Sequence, residues 1–148
     1  MVYAIDFELV TMNPGDYKIM VVDDDMASAT MMMNHLRTCG FRIVNVKTAP
    51  MVLTKALSEA PSLIIVDLMV PRRTGLKLCK DLKSDHATNH IPIIMVTASL
   101  DESDKIVALE LGVDDFMLKP LNLHELNLRI ERSLERSRFE PNLLPSGN

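Results

Sequence analysis

Acidic, hydroxyl and ammonium groups stand at the carboxyl ends of four separate apolar runs. Asp23-Asp24-Asp25 follow KIMVV, Asp67 follows SLIIV, Thr97 follows IPIIMV and Lys119 follows DDFML. Carboxylates gathered at one place hold a hard divalent cation, and a carboxylate can also act as a nucleophile. A hydroxyl and an ammonium suit the oxygens of a transferred phosphoryl group. These are the pieces of a phosphoryl-transfer site, provided the fold brings the four chain segments together.

The pattern between the runs says how it could. Short apolar runs at Lys18 to Val22, Phe41 to Val46, Leu63 to Val66, Ile93 to Val96 and Val113 to Leu118 read as buried strands. Helical stretches near Ala27 to Thr38, Val52 to Ala60, Leu76 to Lys83 and Ser103 to Leu111 separate them, and a last helix runs from Asn122 to about Ser137. Gly40 and Gly112 fall where helices should stop, since a left-handed cap suits Gly. Strand-helix alternation of this kind predicts an α/β doubly wound parallel sheet of five strands with helices on both faces. In such a sheet the ligand crevice lies outside the carboxyl ends of the strands, where all four groups stand.

The 148 residues fit one domain, large enough for a core without disulfides. Hydrophobic residues at 47% and charged residues at 24% give a soluble globular balance. A net charge of -4 argues against direct binding to nucleic acid or an anionic membrane, and no apolar run approaches a membrane span. With no signal peptide at the start and two distant cysteines, Cys39 and Cys79, the expectation is a reducing, cytoplasmic setting. Residues 1–16 form an N-terminal extension in which Tyr3, Ile5, Phe7 and Leu9 alternate with Ala4, Asp6 and Glu8; it reads either as an extra strand or as a loose arm. Residues 17–137 form the folded domain, and 138–148, with two Pro and one Gly, a tail.

Each group has a plainer reading. Asp25, just before Met26-Ala27, fits a helix N-cap. Asp67 or Thr97 alone could simply end a strand. Lys119 is more telling, because an ammonium leaving a buried strand is costly unless carboxylates meet it, and its bond to Pro120 is a candidate for the cis form. Met31-Met32-Met33 fits ordinary packing. His86 and His90 stand four apart but in a loop-like stretch, which argues against zinc.

From about Tyr17 to Ser137 the chain resembles a two-component response-regulator receiver domain. KIMVVDDD, LIIVDLMVP with Gly75, IPIIMVTAS and GVDDFMLKP are similar to that family's four defining segments, in order. The resemblance implies a flavodoxin-like (βα)5 fold with strand order 2-1-3-4-5. It also implies phosphorylation of one Asp by a phosphohistidine on a partner, either a sensor histidine kinase or a histidine phosphotransfer protein. Asp67 matches the phospho-acceptor, Asp24 the direct Mg²⁺ ligand, Asp23 the acid that holds metal through water, and the Met69 carbonyl the backbone ligand. Thr97 and Lys119 match the groups that bind phosphoryl oxygens, and Phe116 the switch aromatic.

Charge supports the same cofactor: clustered carboxylates repel, and Lys119 alone cannot neutralise them, so Mg²⁺ (or Mn²⁺) completes the balance. If Thr97 moves to bond the acyl phosphate, Phe116 can turn inward and signal to the surface of the fourth helix, fifth strand and fifth helix. The chain is then a regulatory phosphoacceptor and not an enzyme on other substrates, acting through an effector protein or an output domain, and a homodimer stays open. Arg72-Arg73-Thr74 departs from the family, which often carries an Asp before the Gly. Met69 and Ser99 occupy variable positions that could tune water access to the phosphoryl group. Two other functions compete. A haloacid-dehalogenase-like Mg²⁺ phosphohydrolase would use the Asp23 to Asp25 run, but Asp114-Asp115 precede Lys119, the reverse of that family's order, and Asp67 would be idle. A pseudo-receiver binding module is disfavoured because every phosphorylation residue is present.

Overall fold

The computed structural model describes residues 12–69, 74–99 and 101–143, with 139–143 by backbone only. Five strands, β1 (Lys18–Val22), β2 (Arg42–Val46), β3 (Leu63–Asp67), β4 (Ile93–Thr97) and β5 (Asp115–Leu118), alternate with five helices. The helices are α1 (Met26–Thr38), α2 (Val52–Glu59), α3 (Gly75–Ser84), α4 (Glu102–Glu110) and α5 (Leu123–Leu143). The sheet is parallel with order β2-β1-β3-β4-β5, as the resemblance implies.

Alternate strand residues divide the core between two faces. Ile19, Val21, Leu63, Ile65, Ile94, Val96 and Met117 pack with Met32 and Leu36 of α1 and Leu126, Ile130 and Leu134 of α5. Met20, Val22, Ile64, Val66, Ile93 and Met95 pack with Val52 and Ala56 of α2, Leu78, Cys79 and Leu82 of α3 and Ala108 of α4. Buried on both sides, the central strands must be apolar until they emerge, which is why the polar groups sit only at their ends.

Helix starts and stops follow side-chain chemistry. The Asp25 carboxylate accepts from the Ala27 amide at 3.2 Å and caps α1; Asp101 accepts from Ser103 at 3.0 Å and Asn122 from Glu125 at 3.0 Å. Gly40 and Gly112 take φ of 103° and 99° just past α1 and α4. α2 stops at Glu59, one residue before its expected end, and Ala60 adopts the same left-handed region at φ 49° with no glycine to announce it.

Most boundaries lie within one residue of the sequence expectation, and two differ by more. The fifth strand begins at Asp115, two residues later than expected; Asp114 before it bonds Ile93 twice, its amide donating to the Ile93 carbonyl and its Oδ2 accepting from the Ile93 amide, each at 2.8 Å. The last helix continues past Ser137 to Leu143, through Pro141. Apolar periodicity gives less guidance there, because Leu134 is the last core residue of that helix among those whose side chains are described. Of the N-terminal extension, residues 12–16 contain a 3₁₀ turn at Pro14–Asp16, while the alternating segment before Thr11 lies outside the described residues. Among the described residues no helix is long and apolar enough to cross a membrane.

Candidate functional site

The crossover connections return each chain segment so that β1, β3, β4 and β5 end at one edge. Asp23 leaves β1, Asp67 ends β3, Thr97 ends β4 and Lys119 leaves β5. Lys119 Nζ donates to Asp67 Oδ2 at 2.7 Å and to Asp23 Oδ2 at 3.0 Å, joining residues that are 52 and 96 positions away in sequence. Both carboxylates are almost fully buried, Asp23 at 2% and Asp67 at 5% exposure. Their other oxygens are held by main-chain donors: the Asp25 amide on Asp23 Oδ1 and the Met69 amide on Asp67 Oδ1, each at 2.9 Å. Every carboxylate oxygen therefore has a donor, which such burial requires.

The electrostatics follow. Burial pushes the Asp23 carboxyl up, and the hydrogen bonds from Asp25 and Lys119 only partly bring it back while Asp67 adds repulsion, so its pKa lies above the usual carboxylate value. Burial pulls the Lys119 ammonium down, but its bonds and charge attraction to Asp67 and Asp23 outweigh this and hold it above the ordinary lysine value. Lys119 is thus a firm cation at neutral pH.

Thr97 is fully buried, one position beyond Val96, the register partner of Asp67. Its Oγ1 accepts from the Ser99 amide at 3.0 Å and its carbonyl from the Lys119 amide at 2.8 Å. Asp24 stands at the same edge but exposed, and among the described residues no hydrogen bond ties it to the others. Met69 follows on the loop from β3, 41% exposed. The Lys119–Pro120 bond is cis. Arg72 and Arg73 lie outside the described residues. Phe116 is apart from the acids: half-buried against the α2–α3–α4 side of the core, it lines a groove of about 340 Å³ with Ser99, Lys105, Pro120 and Arg129. The groove adjoins the acid site through Ser99, Leu118 and Pro120, neighbours of Thr97 and Lys119.

Among the described residues no three His, Cys, Asp or Glu side chains already form a cation cage. Asp23 and Asp67 face each other across an ammonium, so this edge already requires positive charge, and its donors are hard oxygens suited to Mg²⁺.

Sequence reading missed several residues that shape the surroundings. Asp104 is buried in the first turn of α4, with Ser99 Oγ donating to it at 3.4 Å. Arg129, which lines the groove with Glu125, pairs with both Asp115 and Glu125. A carboxylate in a helical first turn looks like dipole compensation, and Arg129 to Glu125 like a surface pair at i,i+4, so nothing in the sequence distinguished them.

Comparison with known proteins agrees with this geometry. The model of the response regulator receiver domain matches residues 19–131. The alkaline phosphatase synthesis transcriptional regulatory protein PhoP of Bacillus subtilis is 38% identical over 120 residues, covering 81% of this chain and 49% of that protein. The transcriptional regulatory protein GltR of Pseudomonas aeruginosa is 36% identical over 128 residues, 86% of this chain and 53% of its own. The chain thus spans about half the length of the curated relatives it matches. Among solved structures, the CheY-like receiver domain protein of Methanospirillum hungatei superposes with a TM-score of 0.78 at 26% identity over 84% of this chain and 98% of that one. The BeF3-activated N-terminal receiver domain of Klebsiella pneumoniae RstA gives 0.72 at 27%, over 79% and 97%. With the matching model across most of its length and its acids at the edge of a 2-1-3-4-5 sheet, the chain belongs to the response regulator receiver domains of two-component systems.

Proposed function

We propose that Asp67 accepts a phosphoryl group from a phosphohistidine on a sensor histidine kinase or histidine phosphotransfer protein, and that the aspartyl phosphate changes a partner-binding face. The observation that carries this reading is the Lys119 ammonium at 2.7 Å from Asp67 Oδ2: one carboxylate oxygen is tied to a cation and the other to the Met69 amide. This orients the carboxylate and sets a cation beside it for in-line attack, which depends on positioning and charge neutralisation more than on covalent help. Attack forms the new bond from a carboxylate oxygen to phosphorus as the phosphorus–imidazole nitrogen bond breaks, and the imidazole leaves with its electron pair.

Mg²⁺, or Mn²⁺, would be held by Asp23, Asp24, Asp67 and the Met69 carbonyl, and when bound it would neutralise the oxygens of the transferring group. Lys119 and Thr97 are the residues suited to the remaining phosphoryl oxygens. A hydroxyl drawn toward the phosphate would give up its bond to the Ser99 amide, and Ser99 also lines the groove beside Phe116. That shared residue supports coupling between the chemistry and the face formed by α4, β5 and α5. PhoP and GltR are named as transcriptional regulatory proteins and are about twice the matched length. This supports an effector protein or an attached output domain as the reader of that face.

Mass spectrometry after incubation with acetyl phosphate and Mg²⁺ tests the assignment. Wild type gains one phosphoryl group and Asp67→Asn gains none, because an amide is a poor nucleophile. Unchanged labelling of Asp67→Asn moves the role to another acid. Loss in Asp23→Asn, with Asp67 dispensable, favours the phosphohydrolase instead.

A further inference from the structure

The sheet has an open side at β2. Its residues Arg42 to Asn45 are exposed or half-buried, whereas every residue of β3 and β4 is buried. The Arg42 amide donates to the Tyr17 carbonyl on the β1 side. Main-chain groups alternate in direction along a strand, so Val44 and Val46 also face β1, and the N–H and C=O of Ile43 and Asn45 face outward. Among the described residues no main-chain group meets them. Ile43 to Val46 also carry no charge, proline or bulge, the devices that usually blunt a free edge.

The chain itself returns to this edge. Before β1, the 3₁₀ turn Pro14–Asp16 lies at the foot of β2: Arg42 donates from Nε to the Gly15 carbonyl at 2.9 Å and from Nη2 to the Asp16 carbonyl at 3.3 Å. Pro14 stands against Gly40, where a β-carbon would come within 3.3 Å of it. Met12 packs on the α1–α5 side of the core, as Ile43 does. The chain outside the described residues therefore joins the domain beside β2. That stretch, MVYAIDFELVT, alternates Tyr3, Ile5, Phe7 and Leu9 with Ala4, Asp6 and Glu8, the period of a strand with one covered face.

We propose that the outer edge of β2 is a strand-docking site whose occupant is the chain's own residues 3–10, added antiparallel to β2 as a sixth strand. The direction follows from the connection: the segment must run down to the foot of β2, and β2 runs up from it. Two strand spacings, about 10 Å, separate the new position from β1. Residues 11–17 reach roughly 20 Å when extended, so they pass beneath β2 with slack that the 3₁₀ turn takes up. Residues 3–10, at about 3.4 Å each, are longer than the five residues of β2. The charges agree: Asp6 and Glu8 are the only charged side chains of residues 1–11, and Arg42 and Lys47 are exposed cations at the two ends of the edge. The other outer strand, β5, lies at the far side of the sheet from this connection. Docked so, the segment gives Ile43 and Asn45 their main-chain partners, covers Ile43 and Val44, and closes the edge to strands of other chains. The acid edge is untouched.

Amide hydrogen exchange of the full chain, read residue by residue by NMR, tests this. Val44 and Val46 face β1 and serve as the internal reference for a folded sheet. Wild type is expected to protect Ile43 and Asn45 as well, by at least roughly tenfold over an unstructured peptide. Proline at two successive positions, Phe7→Pro with Glu8→Pro, removes a donor that faces β2 in either register. Ile43 and Asn45 should then exchange at least about tenfold faster, while Val44 and Val46 stay protected. Open-peptide rates at Ile43 and Asn45 in wild type overturn the proposal, as does protection that the two prolines leave unchanged. Protection that falls on dilution of wild type also overturns it, since the added strand would then come from a second copy.

Discussion

The Lys119 amide donates to the Thr97 carbonyl at 2.8 Å, one rung beyond the register that pairs Thr97 with Leu118. The two groups suited to phosphoryl oxygens are therefore spaced by backbone, and only their side chains can adjust. Lys119 uses that freedom to reach across the sheet, past Thr97, to acids at the ends of β3 and β1. A single side chain thus ties three strand ends together before any ligand arrives.

Removing that tie should cost stability in a way a divalent cation recovers. Lys119→Met leaves two buried carboxylates facing each other without a counter-charge, and breaking a buried pair in this way costs about 3 kcal/mol. Urea unfolding in the presence of a chelator should show the loss. Mg²⁺ should restore a larger increment to Lys119→Met than it adds to wild type. Equal increments would mean that cation and ammonium do not share this charge site.

Asp23 should show the opposite sign. Its folded pKa is raised, chiefly by burial, so the folded state binds a proton more tightly than the unfolded one. The favourable contribution is present below the unfolded value of 3.8 and is lost as pH rises through the folded pKa. At neutral pH the ionised group therefore destabilises the metal-free fold. Asp23→Asn should be more stable than wild type near pH 7, by roughly 1 kcal/mol for each unit of pKa elevation, and the gain should vanish in acid. Mg²⁺ affinity should fall in the same variant. Unfolding curves across pH in chelator check the first statement and calorimetric Mg²⁺ titration the second; a variant less stable than wild type at pH 7 sinks the argument.

The legibility of this molecule divides along a physical line. Strands buried on both faces must be apolar, so a charged residue at the end of such a run announced both the sheet and its functional edge, and Asp23, Asp67, Thr97 and Lys119 do converge there. Local signals also carried the N-cap at Asp25 and the helix stops at Gly40 and Gly112. What stayed hidden depends on contacts between segments remote in sequence. Asp104 meets Ser99 only because the loop after β4 folds back on α4, and His35 meets Asn127 only because α1 and α5 share a face. The separation of exposed Asp24 from the buried pair is likewise set by where the chain turns after β1, which three consecutive identical residues cannot reveal.

Gly75 joins β3, the strand that ends in Asp67, to α3 by close approach. A β-carbon there would stand 2.7 Å from the Asp67 carbonyl oxygen, the Leu68 Cα and the Leu68 oxygen, all backbone atoms that cannot step aside. Gly75→Ala should destabilise the fold by about 1–3 kcal/mol, the usual cost of overpacking. It should also slow acetyl phosphate labelling, because the displaced backbone carries Asp67 and the Met69 amide. Urea midpoints and labelling rates measure both, and a normal rate in a destabilised variant would separate packing from site geometry.

Thr97→Ala tests the link from phosphate to surface. The hydroxyl is fully buried and its bond to the Ser99 amide leads toward the groove that Phe116 lines. Alanine keeps the strand and leaves Asp67 and Lys119 in place, so the variant should still accept phosphate, more slowly for want of one oxygen ligand. It leaves the Ser99 amide without its partner in both states, however, and removes the group whose movement would distinguish them. Chemical-shift changes at Phe116 on adding beryllofluoride with Mg²⁺ should then be large in wild type and small in Thr97→Ala, while shifts close to Asp67 persist in both. Equal responses at Phe116 would mean that the phosphoryl group reaches the α4–β5–α5 face by another route, with the backbone bond from Lys119 to Thr97 the next candidate.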